Sequence, residues 1–563
     1  MKFLLPSLFL FALLNTFTNS MFANETTPEE VKVPVIEEVI VTGSLLPRGD
    51  FVSKAPISTI SSTQFEMSNS VNVESLINSM PQVVGGADRS STFGQGIATA
   101  NLRGLGENRT LVLVNNRRFV PTFPDGGTVD LNFVPVGLID RVEILTGGAS
   151  AAYGSDALAG VINFILREQT DGWEFSGGGE TTEKGDAEIF NFNATKGGAF
   201  ASGKGSYLVH FDVLERKSVN FIDRDISRVA LIDLVDDNGD LSLTNSPNRF
   251  PVTTTVGLFN FLGPAVSLLR FDNSGSDLEV FPNIPTPGGG VDGLFQINNG
   301  FGFPDGSQEL GNINGYANLQ VPQERKSLKA KISYEFDSVE VYADAYYSRS
   351  DVPLNWGGPF SGFPIANNFR ISVENNPFWS DQTKATISNL YQIFNLIVPQ
   401  TVNYVDDNGN GVADELTLLG FVRSFSEDVG LTENKRTFEA LQLEVGVKGD
   451  LNNSWGYEIF AQIGEVETVN IGRPLLNPAR VEQALLVTPE GNCVDPSNGC
   501  VPINIWGNNI GPEGAAFITY PDSVGTSVTK NEQNVFTATL SGNTSELFSF
   551  PGNPGPIGLV FGA

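Results

Sequence analysis

The chain has 563 residues, 17% of them charged, and a formal net charge of −30. That balance argues against a nucleic-acid partner, because phosphate backbones are met by clustered Lys and Arg. Beyond residue 23 there is no apolar run of about 18 residues, so no transmembrane helix is available and any membrane span must be a closed β-barrel.

Residues 1–23 open with Lys2, run through an apolar block from Phe3 to Leu14 and turn polar around Asn15 to Ser20. This is the pattern of a secretory signal, with cleavage expected after Ala23. Residues 24–50 are polar and acidic apart from one β-prone run, Glu38-Val39-Ile40-Val41-Thr42. An extended segment in a mobile tail can add an edge strand to a partner's sheet through main-chain hydrogen bonds.

Residues 51–167 read as a compact α+β domain. Val71 to Ser79 carries a short helical pattern stopped by Pro81, and Leu111 to Val114 is a buried strand turning at Asn115-Asn116. Ile139 to Leu145 and Val161 to Leu166 are two further strands. Between them, Gly147 to Ser155 is built mainly of small residues that permit close backbone approach.

From about Gly172 the texture becomes period-two alternation, as in Leu328 to Phe336, Val339 to Ala345, Leu441 to Val447 and Tyr457 to Ile463. One apolar and one polar face per strand suits a barrel with lipid outside and a wet lumen inside, although a sandwich would also alternate. The connections discriminate better. Tight turns at Glu335 to Ser338 and Gly449 to Ser454 contrast with long loops at Val219 to Gln323, Val352 to Asn434 and Asn470 to Ser527. Short turns on one side and long loops on the other are the outer-membrane arrangement. The spacing gives eight strands by Asn543 and the start of another at Gly558 to Ala563. A plugged barrel of this class has about 22 strands, so residues 168–563 are expected to be the N-terminal part of an antiparallel transmembrane β-barrel, and the chain a fragment.

These motifs converge on a family. Glu38 to Ser44 resembles the TonB box of TonB-dependent receptors. Leu102-Arg103-Gly104-Leu105-Gly106 with Arg109 to Asn115 is similar to their plug core, and Ile139 to Leu145 continuing from Gly147 to Ile165 is similar to their second plug signature. The resemblance implies an α+β plug inside a β-barrel in the outer membrane of a Gram-negative bacterium. It implies that Glu38, Val39, Ile40, Val41 and Thr42 bind TonB, which acts with ExbB and ExbD. It also implies active transport of a ligand bound at the plug apices and extracellular loops. One position departs from the family: many members carry an Arg before the glycine pair as a plug–barrel latch, and here that position is Thr146.

Candidate chemistry is sparse. The single histidine, His210, sits in an alternating strand, facing lumen or lipid, and excludes multi-His metal sites. No catalytic constellation is present and no cofactor is required. Asp406, Asn408, Asn410, Val412 and Asp414 follow the spacing of an oxygen-ligand Ca²⁺ loop, but Thr417 replaces the usual Glu at position 12. The alternative is a polar turn. Cys493 and Cys500 are expected to form a local disulfide.

For ligand contact the plug offers Phe93, Gln95, Phe123 and Asp125, and one long loop offers Trp356 and Phe360 near Phe363, Phe378 and Trp379. Such aromatics suit stacking on sugar rings or an interfacial girdle. The expected ligand is an oligosaccharide or another scarce organic nutrient; part of the basis is Cys500-Val501-Pro502, which resembles one subtype of the family. A ferric siderophore is the alternative. A binding or signalling receptor without transport would need a further folded domain before the TonB box.

Overall fold

The computed structural model describes residues 57–62, 64, 73–78, 80–85, 96–123, 127–147, 149–228, 230–235, 241–246, 258–259, 269–271, 278–280, 284–285, 291–292, 318–356, 360–361, 369–397, 404–417, 421–430, 432–473, 476–505, 510–519, 525–544 and 557–563. Residues 1–23, expected to be a signal, and Glu38 to Thr42, expected to be a TonB box, lie outside these.

The first body is the plug. Its strands are β1 (Ile57–Ser61), β2 (Val83–Gly85), β3 (Ala100–Leu102), β4 (Thr110–Val114), β5 (Arg117–Arg118), β6 (Ile139–Thr146) and β7 (Gly160–Leu166), with a helix at Val73–Asn78. Five of them form one sheet in the order β1-β6-β7-β4-β5, in which only β4 and β7 run parallel. The apolar runs of β4 and β7 are buried on both faces, as an interior strand requires. Gly160 begins β7 at φ +144°, where an added Cβ would lie 2.2 Å from the Leu145 carbonyl oxygen, so a side chain there would split β6 from β7.

The second body is a wall of nine antiparallel strands joined in sequence order. They are β8 (Gly172–Glu180), β9 (Ile189–Phe200), β10 (Gly205–Arg216), β11 (Gln323–Phe336), β12 (Val339–Trp356), β13 (Thr432–Asn452), β14 (Trp455–Arg473), β15 (Gly525–Asn543) and β16 (Gly558–Gly562). Among the described residues the sheet is open, with β8 and β16 at its edges. Alternation sorts its faces: on β14, Phe460, Gln462, Val466 and Thr468 are buried towards the plug, while Ile459 and Ile463 are exposed on the other side. Phe536, Val445, Trp173 and Phe175 share that outer apolar face.

Strands β12 to β15 are longer than their alternating apolar stretches. At 18 to 21 residues they reach about 60 Å, well beyond an apolar band of about 25 Å. Past the band their outward residues turn charged and pair across strands, Arg349 with Glu439 at 2.6 Å and Lys530 with Glu465 at 3.0 Å. The backbone stays extended although the apolar signal has ended.

The loops after β12 and β14 contain a third body. Residues 369–430 and 476–519 share one hydrophobic core, including Phe369, Ile371, Tyr391, Phe425, Leu485 and Phe517. The helix Asp381–Ile397 presents Ile387 and Tyr391 to it, and Ser380 accepts the Thr383 N–H at the helix start. A second helix, Pro478–Leu485, is capped by Asn477. Arg370 on one loop pairs with Glu482 on the other at 2.9 Å, and Asp428 accepts the Ile510 N–H at 2.8 Å.

Candidate functional site

The functional geometry lies where the plug meets the wall. Asn115 and Asn116 both take positive φ, 50° and 64°, forming the tight turn that reverses β4 into β5. The turn delivers Arg117 to the wall. Its Nε lies 3.2 Å from Glu444 on β13, its Nη2 lies 3.2 Å from the Tyr342 hydroxyl on β12, and it also pairs with Glu458 on β14. The guanidinium sits 3.9 Å from the centroid of the Phe460 ring. Burial alone would depress the Arg117 pKa, but Glu458 and then Glu444 more than reverse that and hold the guanidinium firmly protonated. Thr146 carries no charge, and ion pairs from plug to wall are made by Arg117 and, at the plug's end, by Arg167 to Glu174 at 2.7 Å.

A second contact sits higher on the wall. Arg325 on β11 and Asp212 on β10 are each 3% exposed and pair at 2.7 Å. Arg325 Nη1 also donates to the Asn132 carbonyl of the plug at 2.7 Å, and the Tyr346 hydroxyl donates to the Phe133 carbonyl. Gln462 donates to the Arg118 carbonyl at 2.8 Å, and Asn531 to the Thr122 carbonyl at 2.7 Å. Wall residue Gly464 faces plug residue Val120, and a Cβ there would come within 2.9 Å of the valine, so the glycine sets how closely the two bodies approach. Between them lies a cavity of about 100 Å³, whose mixed lining includes Arg117, Glu168, Lys331 and Glu444 beside Phe119 and Leu166. It has room for several waters. The interface thus combines charged and hydrogen-bonded contacts with an apolar part, where Phe119, Val120 and Phe133 of the plug share one core with Leu208, Tyr346, Phe438 and Val466 of the wall. The polar contacts can be exchanged for water far more readily than an apolar core.

Of the ligand candidates, Phe123 is half-buried beside the Asn531 contact, while Phe93, Gln95 and Asp125 lie outside the described residues. Trp356 ends β12, and Phe360 lies in a short strand paired with Ser424. Of these six, Phe123 is the one whose side chain is described. Trp379 is 5% exposed inside the loop body's core, so it is neither an open stacking platform nor a girdle residue, and Phe378 packs against the same core.

The Asp406 to Asp414 stretch forms a tight polar loop. Asp406 accepts the Gly409 and Gly411 N–H groups, Asn408 accepts that of Asn410, Asn410 that of Val412, and Asp414 that of Asp407. Glu374 receives the side-chain amides of Asn408 and Asn410 at 2.8 and 2.6 Å. Among the described residues no group of three or more His, Cys, Asp and Glu side chains is arranged to hold a metal ion. The oxygens that the spacing offers to Ca²⁺ serve here as acceptors for the loop's own backbone. Cys493 and Cys500 are joined in a disulfide within the loop body. His210 is fully buried on the plug-facing side, 2.8 Å from Thr195 Oγ1, which settles its facing away from lipid.

Sequence reasoning missed Arg117, Arg325, Tyr346 and Asp130. Only the first had a local signal, an Arg pair directly after an Asn-Asn turn. The others are defined by pairings across long sequence separations.

A small α+β body seated against one face of a nine-stranded antiparallel sheet whose other face is apolar is the arrangement of a plug and a barrel wall. Residues 52–161 match the TonB-dependent Receptor Plug Domain. The chain is 31% identical over 175 residues to the vitamin B12 transporter of Vibrio vulnificus, covering 31% of this chain and 27% of that one. It is 32% identical over 164 residues to an iron-regulated outer membrane virulence protein of Vibrio cholerae, covering 28% and 23%. Among solved structures, a mutant of the ferric enterobactin receptor from Pseudomonas aeruginosa overlays 90% of this chain and 57% of its own at 16% identity, with a TM-score of 0.35. The matched stretch spans about a quarter of the curated relatives' length. Residues 52–161 thus carry the plug domain of the TonB-dependent receptors, followed by a large antiparallel sheet.

Proposed function

We propose that the chain is the plug-bearing part of a receptor that actively imports a scarce organic ligand, with TonB, ExbB and ExbD supplying the force. The observation that carries this is the polar seat of the plug, where Arg117 pairs with Glu444 and Glu458 and Arg325 donates to the Asn132 carbonyl: such contacts hold the plug at rest and can be exchanged for water when it is pulled. In this reading residues 1–23 are the signal, 24–50 the periplasmic tail with Glu38 to Thr42 as the TonB-binding strand, 51–167 the plug and 168–563 the barrel portion. Deleting TonB in the host should abolish uptake of the ligand, and uptake that persists would overturn energised import.

The ligand class has two readings. Oligosaccharide uptake draws on the aromatic loop residues Trp356 and Phe360, but burial of Trp379 removes one of its platforms. A ferric siderophore is favoured by the iron-regulated relative. Transcript measured on polysaccharides and under iron starvation separates them. Induction by iron starvation alone excludes the sugar, and induction on a polysaccharide alone excludes the siderophore.

A further inference from the structure

We propose that Asp130 is the positioning residue that fixes two plug segments read as ligand-facing, residues 96–98 and residues 122–123 with 127–133, in a single relation to each other and to the wall. The proposal rests on the reading of these segments as ligand-facing; its test does not require the ligand.

Asp130 is fully buried. One of its carboxylate oxygens, Oδ1, accepts the Ala98 N–H at 2.9 Å and the Asn132 N–H at 3.0 Å, so a single atom bridges the two segments. The bridge is reciprocal, because the Leu131 N–H donates to the Ala98 carbonyl at 2.8 Å. The Asn132 side chain donates to the Gly96 carbonyl at 3.2 Å. On the other side, the Asp130 N–H donates to Thr122 Oγ1 at 3.0 Å, while the Thr122 N–H donates to the Thr128 carbonyl at 2.8 Å. Directly beyond the bridge, the Asn132 and Phe133 carbonyls are the atoms that Arg325 and Tyr346 hold from the wall.

Both segments and two wall strands therefore converge on residues 130–133. A hydrophobic residue at 130 would leave the buried Ala98 and Asn132 N–H groups without an acceptor. Asparagine retains a side-chain oxygen at the bridging position. Charge is thus not what the position requires; an acceptor for two N–H groups is.

Amide hydrogen exchange of the full chain, refolded in detergent micelles, tests this on the peptides containing Ala98 and Asn132. Asp130→Ala is expected to accelerate exchange of both amides together, by roughly tenfold or more, while Asp130→Asn stays close to the parent chain. Acceleration of only one amide, of neither, or of both equally in the Asn variant overturns the proposal. If Asp130→Ala does not refold, Thr122→Val removes the acceptor for the Asp130 N–H alone. Faster exchange at both segments then supports the hub, and unchanged exchange refutes it. Uptake failing with exchange intact would count against the import reading and leave the hub standing.

Discussion

Arg117 holds two carboxylates, a tyrosine hydroxyl and an aromatic face in one place, and removing it would leave Glu444 and Glu458 close together in a half-dry interface. Breaking such a pair costs on the order of 3 kcal/mol, mostly from the charges left behind. Arg117→Ala is therefore expected to lower the denaturant midpoint for plug release, whereas Arg117→Ala combined with Glu444→Gln and Glu458→Gln recovers part of the loss. Asp130 behaves differently. Burial pushes its carboxyl up to about 6 from the ordinary 3.8, against the pull of the Ala98 and Asn132 N–H groups and of Arg325. The folded plug thus keeps a proton that the unfolded chain would release between about pH 4 and pH 6. Its contribution to stability is lost as pH rises through that window, by about 3 kcal/mol at neutral pH. Unfolding compared at pH 5 and pH 7 should show the parent chain gaining more stability on acidification than Asp130→Asn does. Equal gains would refute the assignment. The Asn115-Asn116 turn was readable from residue types alone. The partners of the arginine it delivers were not, since Glu444 and Glu458 lie more than three hundred positions away in sequence.

At the scale of elements, alternation located the wall strands but understated them. Beyond Leu441 and Ile463 the outward side chains become Glu439, Lys435, Glu465 and Glu467, which look like loop residues although the strand continues. The long loops were misjudged for a related reason. An aromatic side chain reads alike whether it awaits a ligand or fills a core, so Trp379 became placeable only once two separate loops were seen to share one interior. The helix Asp381–Ile397 did carry a readable pattern, apolar residues recurring every three or four positions, of which Ile387 and Tyr391 are buried. The Cys493–Cys500 disulfide staples this loop body close to Gln483, whose carbonyl lies 3.7 Å from Cys500 Sγ. Replacing both cysteines by serine should destabilise the loop body by about 2 kcal/mol. Limited proteolysis should then cut within 476–519 sooner while the wall strands resist as before. Unchanged cleavage would mean that the shared core alone sets its stability.

For the whole molecule, three bodies have three characters. The plug has a dense core that continues into apolar residues of the wall and, beside it, a set of charged contacts to that wall; the wall has an apolar outer face, and the loop body has a core of its own. A tail that pulls on the first of these should act on its charged contacts rather than its core, because those contacts are exchangeable for water. The tail's β-prone run, Glu38 to Thr42, is the proposed handle. The decisive measurement is uptake and surface binding of the inducing nutrient by cells carrying the receptor with and without Glu38 to Thr42. Energised import predicts that binding is retained and uptake is lost. Uptake that proceeds unchanged after the deletion would contradict it.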